Sequence, residues 1–107
     1  MAVATQNVRV GLAQFNPVVG DIAGNSRRIR EMYATADAAG CDIVVFPELS
    51  ITGYPPEDLV LKSGFVAENQ QAMRDIVAAT QGCVAVFGFV DGSIGTLANS
   101  AAIASKG

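Results

Sequence analysis

The titratable side chains that could take up or release a proton for catalysis in these 107 residues are ten carboxylates, two lysines, two cysteines and two tyrosines; there is no histidine. That absence removes Ser-His-Asp and Cys-His catalysis, and HExxH zinc sites, from the chain's own chemistry. Catalysis would have to run on carboxylates, lysine or cysteine. Glu48 has the most suggestive position. It follows the apolar run DIVVF (42–46) and Pro47, and it opens a loop carrying Gly53, Pro55 and Pro56. In open α/β sheets ligands bind beyond the carboxyl ends of the strands. A carboxylate held there and shielded from water can act as a general base near neutral pH. A solvated loop glutamate would occupy the same position, so placement alone leaves both readings open.

The remaining candidates are weaker. Cys41 follows Gly40 and Cys83 follows Gly82, each at the start of an apolar run. Both should therefore lie at the amino edge of the sheet, opposite Glu48, as small core residues. They lack CxxC spacing, so reduced, buried thiols in a cytoplasmic protein are expected rather than a disulfide. Glu57 and Asp58 could form a metal or acid pair. They also fit the start of a short helix with Pro56 in its first turn, where acids are favoured. Tyr54 either lines a pocket or covers the core. Lys62 and Lys106 have no motif around them.

The elements that must position these residues follow from periodicity. Val8 to Ala13 alternates as a strand does, and Gln14 to Gly24 reads as a loop rich in turn residues. Asn25 or Ser26 can cap a helix running to about Ala39, with Ile29, Met32, Tyr33 and Ala36 as its apolar stripe and Gly40 as its stop. Asp42 to Phe46 is apolar without alternation, as in a parallel strand buried on both faces. Ser63 can cap a second helix to about Thr80, with Val66, Ala72, Met73, Ile76 and Val77 facing inward. Val84 to Val90 is a third strand, Asp91 to Gly95 a turn, and Leu97 to Ala104 a fourth strand. The order is βαβαββ. The first three strands should be parallel and the fourth antiparallel to the third.

The length allows one domain. The net charge of -3 and the low charged fraction of 16% argue against a nucleic-acid binder, which would show a basic patch. Arg27, Arg28 and Arg30 form the one basic cluster and read as a solvated helix face. No run reaches the roughly 18 apolar residues of a membrane helix, so no membrane partner is expected. Residues 1–7 lack the basic start and apolar run of a signal peptide and are expected to be a flexible N-terminus.

Several segments resemble a known family. VGLAQFNPVVGDIAGN (10–25) resembles the opening strand and loop of the nitrilase superfamily of carbon-nitrogen hydrolases. DIVVFPELSITGY (42–54) resembles the segment carrying that superfamily's catalytic glutamate, which falls on Glu48. GFV followed by Asn99, Ser100 and Ala101 resembles the next strand pair. The extension GYPPEDL (53–59) resembles the version in glutamine-dependent NAD synthetases. The resemblance covers nearly the whole chain after Asn7.

What the resemblance implies is the N-terminal part of a nitrilase-type αββα sandwich, with residues 8–107 a partial glutaminase domain truncated at its C-terminal end. It implies a Glu-Lys-Cys triad in which cysteine attacks the side-chain amide of glutamine, the glutamate is general base and acid, and the lysine stabilises the tetrahedral intermediate. A glutamyl thioester forms, ammonia leaves, and water releases glutamate. The scheme needs neither histidine nor metal. Ammonia then passes to a further domain that uses ATP and Mg2+ to amidate deamido-NAD, in a homo-oligomeric parent. Of the triad, Glu48 alone is expected here, with Tyr54 as a substrate contact. The lysine is expected beyond Gly107, Lys106 being too early, and the nucleophile further still. Cys41 and Cys83 do not match its motif. By itself such a chain is expected to be inactive. The alternatives are part of a free-standing nitrilase-type amidase, or a non-catalytic truncated module.

Overall fold

Runs of β-branched and aromatic residues too short for a helix and bounded by glycine or proline become strands here, and the two longer stretches with a three-to-four residue apolar repeat become helices. The computed structural model describes residues 6–93 and 95–107, apart from the Ser63 side chain. Residues 1–5 of the expected flexible N-terminus (1–7) and the side chain of the expected Ser63 cap lie outside the described residues; residues 6 and 7 are exposed and belong to no helix or strand.

The elements are β1 (Val10–Leu12), α1 (Ile22–Ala38), β2 (Ile43–Val45), a 3-10 helix (Glu57–Leu61), α2 (Ser63–Ala78), β3 (Val84–Asp91) and β4 (Ala98–Ala104). They form one sheet in the order β1-β2-β3-β4. The pairs β1–β2 and β2–β3 are parallel, and β3–β4 is antiparallel. This is the expected βαβαββ order. Boundaries differ. The first two strands are shorter than their apolar runs, and α1 starts earlier. Asp21, not Asn25 or Ser26, caps α1, its carboxylate accepting the Gly24 N–H at 3.0 Å. Gly24 is tolerated in the first turn, and the Asn25 side chain is used elsewhere. At the other end Gly40 takes φ 79°, the left-handed stop expected of it, and Cys41 donates its N–H to Ala36.

Ile29 and Tyr33 of α1 join Ala72 and Ile76 of α2 in one core with Val44, Ala85, Phe87 and Phe89 of the sheet. Side chains alternate across a strand, so both helices cover the same face. On the opposite face the register aligns Leu12, Val45, Val86 and Ile103 in one row. Leu12 is 79% exposed and Ile103 75%. The strands therefore depart from the expected burial on both faces: Val44 is buried, but Ile43 and Val45 are half-buried. The reason is plain: no element among the described residues lies over that side. Among the described residues, no helix is long and apolar enough to cross a membrane.

Candidate active site

Glu48 sits where β2 gives up its place beside β3. Phe46 still donates its N–H to Val86 at 2.8 Å. Two residues further along β3, the partner is the loop instead. Ile51 donates its N–H to the Gly88 carbonyl at 3.3 Å, and the Gly88 N–H reaches the Ser50 hydroxyl at 3.3 Å. Leu49 turns at φ 47° and buries its side chain. A left-handed leucine is uncommon and costs of order 1 kcal/mol or more, so the surrounding packing must hold it.

Gly88 makes that packing possible. A Cβ at this position would lie 2.3 Å from the Leu49 nitrogen and 3.1 Å from the Glu48 carbonyl carbon. Without a side chain, β3 lets the Glu48–Leu49 peptide rest directly on its open face. Asn99 pairs with Val90 across β3 and β4, and its Nδ2 donates to Glu48 Oε1. Pro47, Glu48, Val86, Gly88, Asn99 and Ala101 line one cleft.

Glu48 itself is exposed. The shielding expected of it is therefore not supplied by the described residues. The turn that carries Leu49 inward swings Glu48 out over the uncovered face. What the geometry does supply is a fixed loop, a hydrogen-bond donor and an open approach.

Two buried asparagines hold this edge in place. Asn25 accepts the Val18 N–H at 2.9 Å and donates to the carbonyls of Val18 and Ile51 at 2.8 and 2.9 Å. It thereby ties the loop after β1 to the loop that carries Glu48. Asn69 accepts the Val90 N–H at 3.1 Å and donates to the Val90 carbonyl, fixing the end of β3. Sequence reasoning took Asn25 for a cap and passed over Asn69. The available signal was a polar residue at an apolar position of each helical stripe: Asn25 lies between Ile22 and Ile29, and Asn69 between Val66 and Ala72.

The other candidates lie elsewhere. Cys41 and Cys83 are free thiols at the amino edge, Cys83 buried and Cys41 half-buried. Burial pushes the Cys83 thiol above its ordinary 9.0, with further contributions from Cys41, Asp37 and Asp42. Tyr33 donates its hydroxyl to the Cys83 carbonyl at 2.7 Å and accepts the Gln81 N–H at 2.6 Å; burial raises its phenol too. Lys106 bonds through its N–H to Gln81 at 2.8 Å, at the sheet edge away from Glu48. Lys62 precedes α2, exposed. Tyr54 is 65% exposed, so it does not cover the core, and it is not among the residues lining the Glu48 cleft. Glu57 and Asp58 are exposed in the first turn of the 3-10 helix. Arg27, Arg28 and Arg30 lie on an exposed helix face, where Arg28 meets Glu31 at 3.6 Å. Among the described residues, no group of three or more His, Cys, Asp or Glu side chains could hold a metal ion.

The chain is 45% identical over 107 residues to the glutamine-dependent NAD(+) synthetase of Xanthomonas campestris pv. campestris, covering 99% of the chain and 19% of that protein. It thus spans about a fifth of the length of that curated relative. The glutamine-dependent NAD+ synthetase of Acinetobacter baumannii superposes with a TM-score of 0.76 at 36% identity, over 90% of this chain and 18% of that one. An amidase from Nesterenkonia sp. superposes with a TM-score of 0.80 at 21% identity, over 96% of this chain and 40% of its own. That last likeness concerns the fold alone. The model of the carbon-nitrogen hydrolase family matches residues 9–107, taking in every strand and helix described above, and the chain belongs to that family.

Proposed function

We propose that this chain is the first part of the glutamine-hydrolysing domain of a glutamine-dependent NAD(+) synthetase, and that Glu48 is the general base of that site. The observation that carries the reading is the 45% identity to such a synthetase along 99% of the chain. The geometry is compatible with it: the carboxylate stands beyond the carboxyl end of β2, on a loop locked to β3, with an open approach. In this reading Glu48 takes the proton from a cysteine nucleophile as it attacks the glutamine amide, and returns a proton to the departing ammonia. The cysteine and the lysine that stabilises the intermediate come from sequence outside these 107 residues. Cys83 is buried and Cys41 stands at the wrong edge of the sheet, so neither fits the role. Tyr54 enters as a contact for glutamine only from its place on the loop after Glu48.

The whole reaction extends the proposal. Ammonia would pass to a domain that uses ATP to amidate deamido-NAD. In this reading ATP and Mg2+ belong to that further domain. A cytoplasmic homo-oligomer, with residues 8–107 forming part of its hydrolase domain, completes the reading. The amidase likeness at 21% identity does not favour a free-standing amidase.

The test is Glu48→Gln in the full-length enzyme. Glutamine-dependent synthesis should fall by about a hundredfold or more, the scale of a lost general base. Synthesis from supplied ammonia should persist. Equal loss of both activities, or loss of neither, overturns the assignment.

A further inference from the structure

Asn99 differs from the other two asparagines that shape this edge. Asn25 and Asn69 are buried and bond to main chain. Asn99 is exposed, on the open face, and donates to a carboxylate. An ionised carboxylate only accepts hydrogen bonds, so the amide must present its NH2 group to Glu48. Its placement is firm. The antiparallel ladder pairs Asn99 with Val90, and Asn69 holds Val90 through both its N–H and its carbonyl. Gly88, one pair earlier on the same face, carries the Glu48–Leu49 peptide. The backbone and the side chain of Glu48 are thus fixed by two strands independently: β3 holds the peptide and β4 the carboxylate.

We propose that Asn99 is a positioning residue for Glu48. This rests on the reading of Glu48 as general base. A glutamate has three side-chain torsions, and on an exposed turn it would sample many of them. Bonding one carboxylate oxygen to β4 selects the rotamers that keep the group over the cleft and leaves the other oxygen to take a proton. The role is therefore in the rate of the chemical step, not in holding substrate.

The experiment compares Asn99→Ala, Asn99→Gln, Asn99→Asp and Glu48→Gln in the full-length enzyme, with glutamine hydrolysis and ammonia-dependent synthesis measured separately. For Asn99→Ala, kcat for glutamine hydrolysis should fall by about tenfold to a hundredfold, the scale of a misplaced catalytic group, with KM nearly unchanged. Asn99→Gln keeps a donor and should recover part of the loss. Asn99→Asp sets a like charge against Glu48 and should be worse than alanine near neutral pH. Ammonia-dependent synthesis should be unaffected throughout. If Glu48→Gln abolishes hydrolysis while Asn99→Ala leaves kcat intact, the positioning role is overturned and the general base stands. If Glu48→Gln itself is harmless, the general-base reading fails and the proposal with it. Loss of both activities in Asn99→Ala overturns it as well, since that marks a fold defect.

Discussion

At the scale of the residue, Glu48 owes its position to neighbours that carry no charge. Asn99 holds its carboxylate and Gly88 admits its peptide. The titration of Cys83 tests a different residue-scale property. Its thiol is raised above 9.0 chiefly by burial. The unfolded thiol loses its proton from about that pH, while the folded one keeps it to higher pH. In that window the unfolded chain binds fewer protons, so stability falls as pH rises. The contribution is fully present below 9.0 and is lost as pH climbs through the folded value. Tyr33, also raised by burial, acts in the same direction at still higher pH. Urea midpoints of the dilute chain should therefore decline through the alkaline range, and Cys83→Ala should flatten the first part of that decline. An unchanged alkaline slope in the variant would refute the buried-thiol account.

At the scale of the element, the loop after β2 acts as a substitute strand, and Gly88 is its seat. Gly88→Ala would force a Cβ to 2.3 Å from a backbone nitrogen, a contact that no side-chain rotation relieves. The expected cost is about 1–3 kcal/mol, as for overpacked interiors, with Glu48 displaced as a result. Urea denaturation should show a lower midpoint at an unchanged slope. In the full-length enzyme, glutamine hydrolysis should weaken while ammonia-dependent synthesis holds. A fully stable and active variant would mean that the loop has more freedom than this packing allows. Element types, their order and the strand directions were legible because apolar periodicity and glycine stops are local signals. The placement of Glu48 after a buried run was legible for the same reason. Its exposure was not, because that depends on what lies over the sheet. Asn25 reads locally as a cap, and its long-range bond to Ile51 leaves no trace within its own helix beyond a polar residue in an apolar stripe. The Asn99–Glu48 pairing joins residues 51 apart in sequence and depends on β4 register, which no local pattern specifies.

At the scale of the whole molecule, one face of the sheet is packed and the other is not. In the αββα sandwich that the family resemblance implies, the open face would be the one to meet a second sheet. The row Leu12, Val45, Val86 and Ile103 is apolar from one edge of the sheet to the other. On its own the 107-residue chain should associate through this row, since large exposed apolar patches drive association. Association through apolar surface is driven by water's entropy near room temperature and weakens on cooling. Solutions of the chain should therefore turn cloudy on warming well before the helices melt, and should clear on return to the cold. Charged substitutions in that row, Leu12→Lys with Ile103→Glu, should raise the clouding temperature without altering far-UV circular dichroism. Light scattering against temperature decides it. A chain that stays monomeric up to a single cooperative melt would mean that the open face is covered by something other than water.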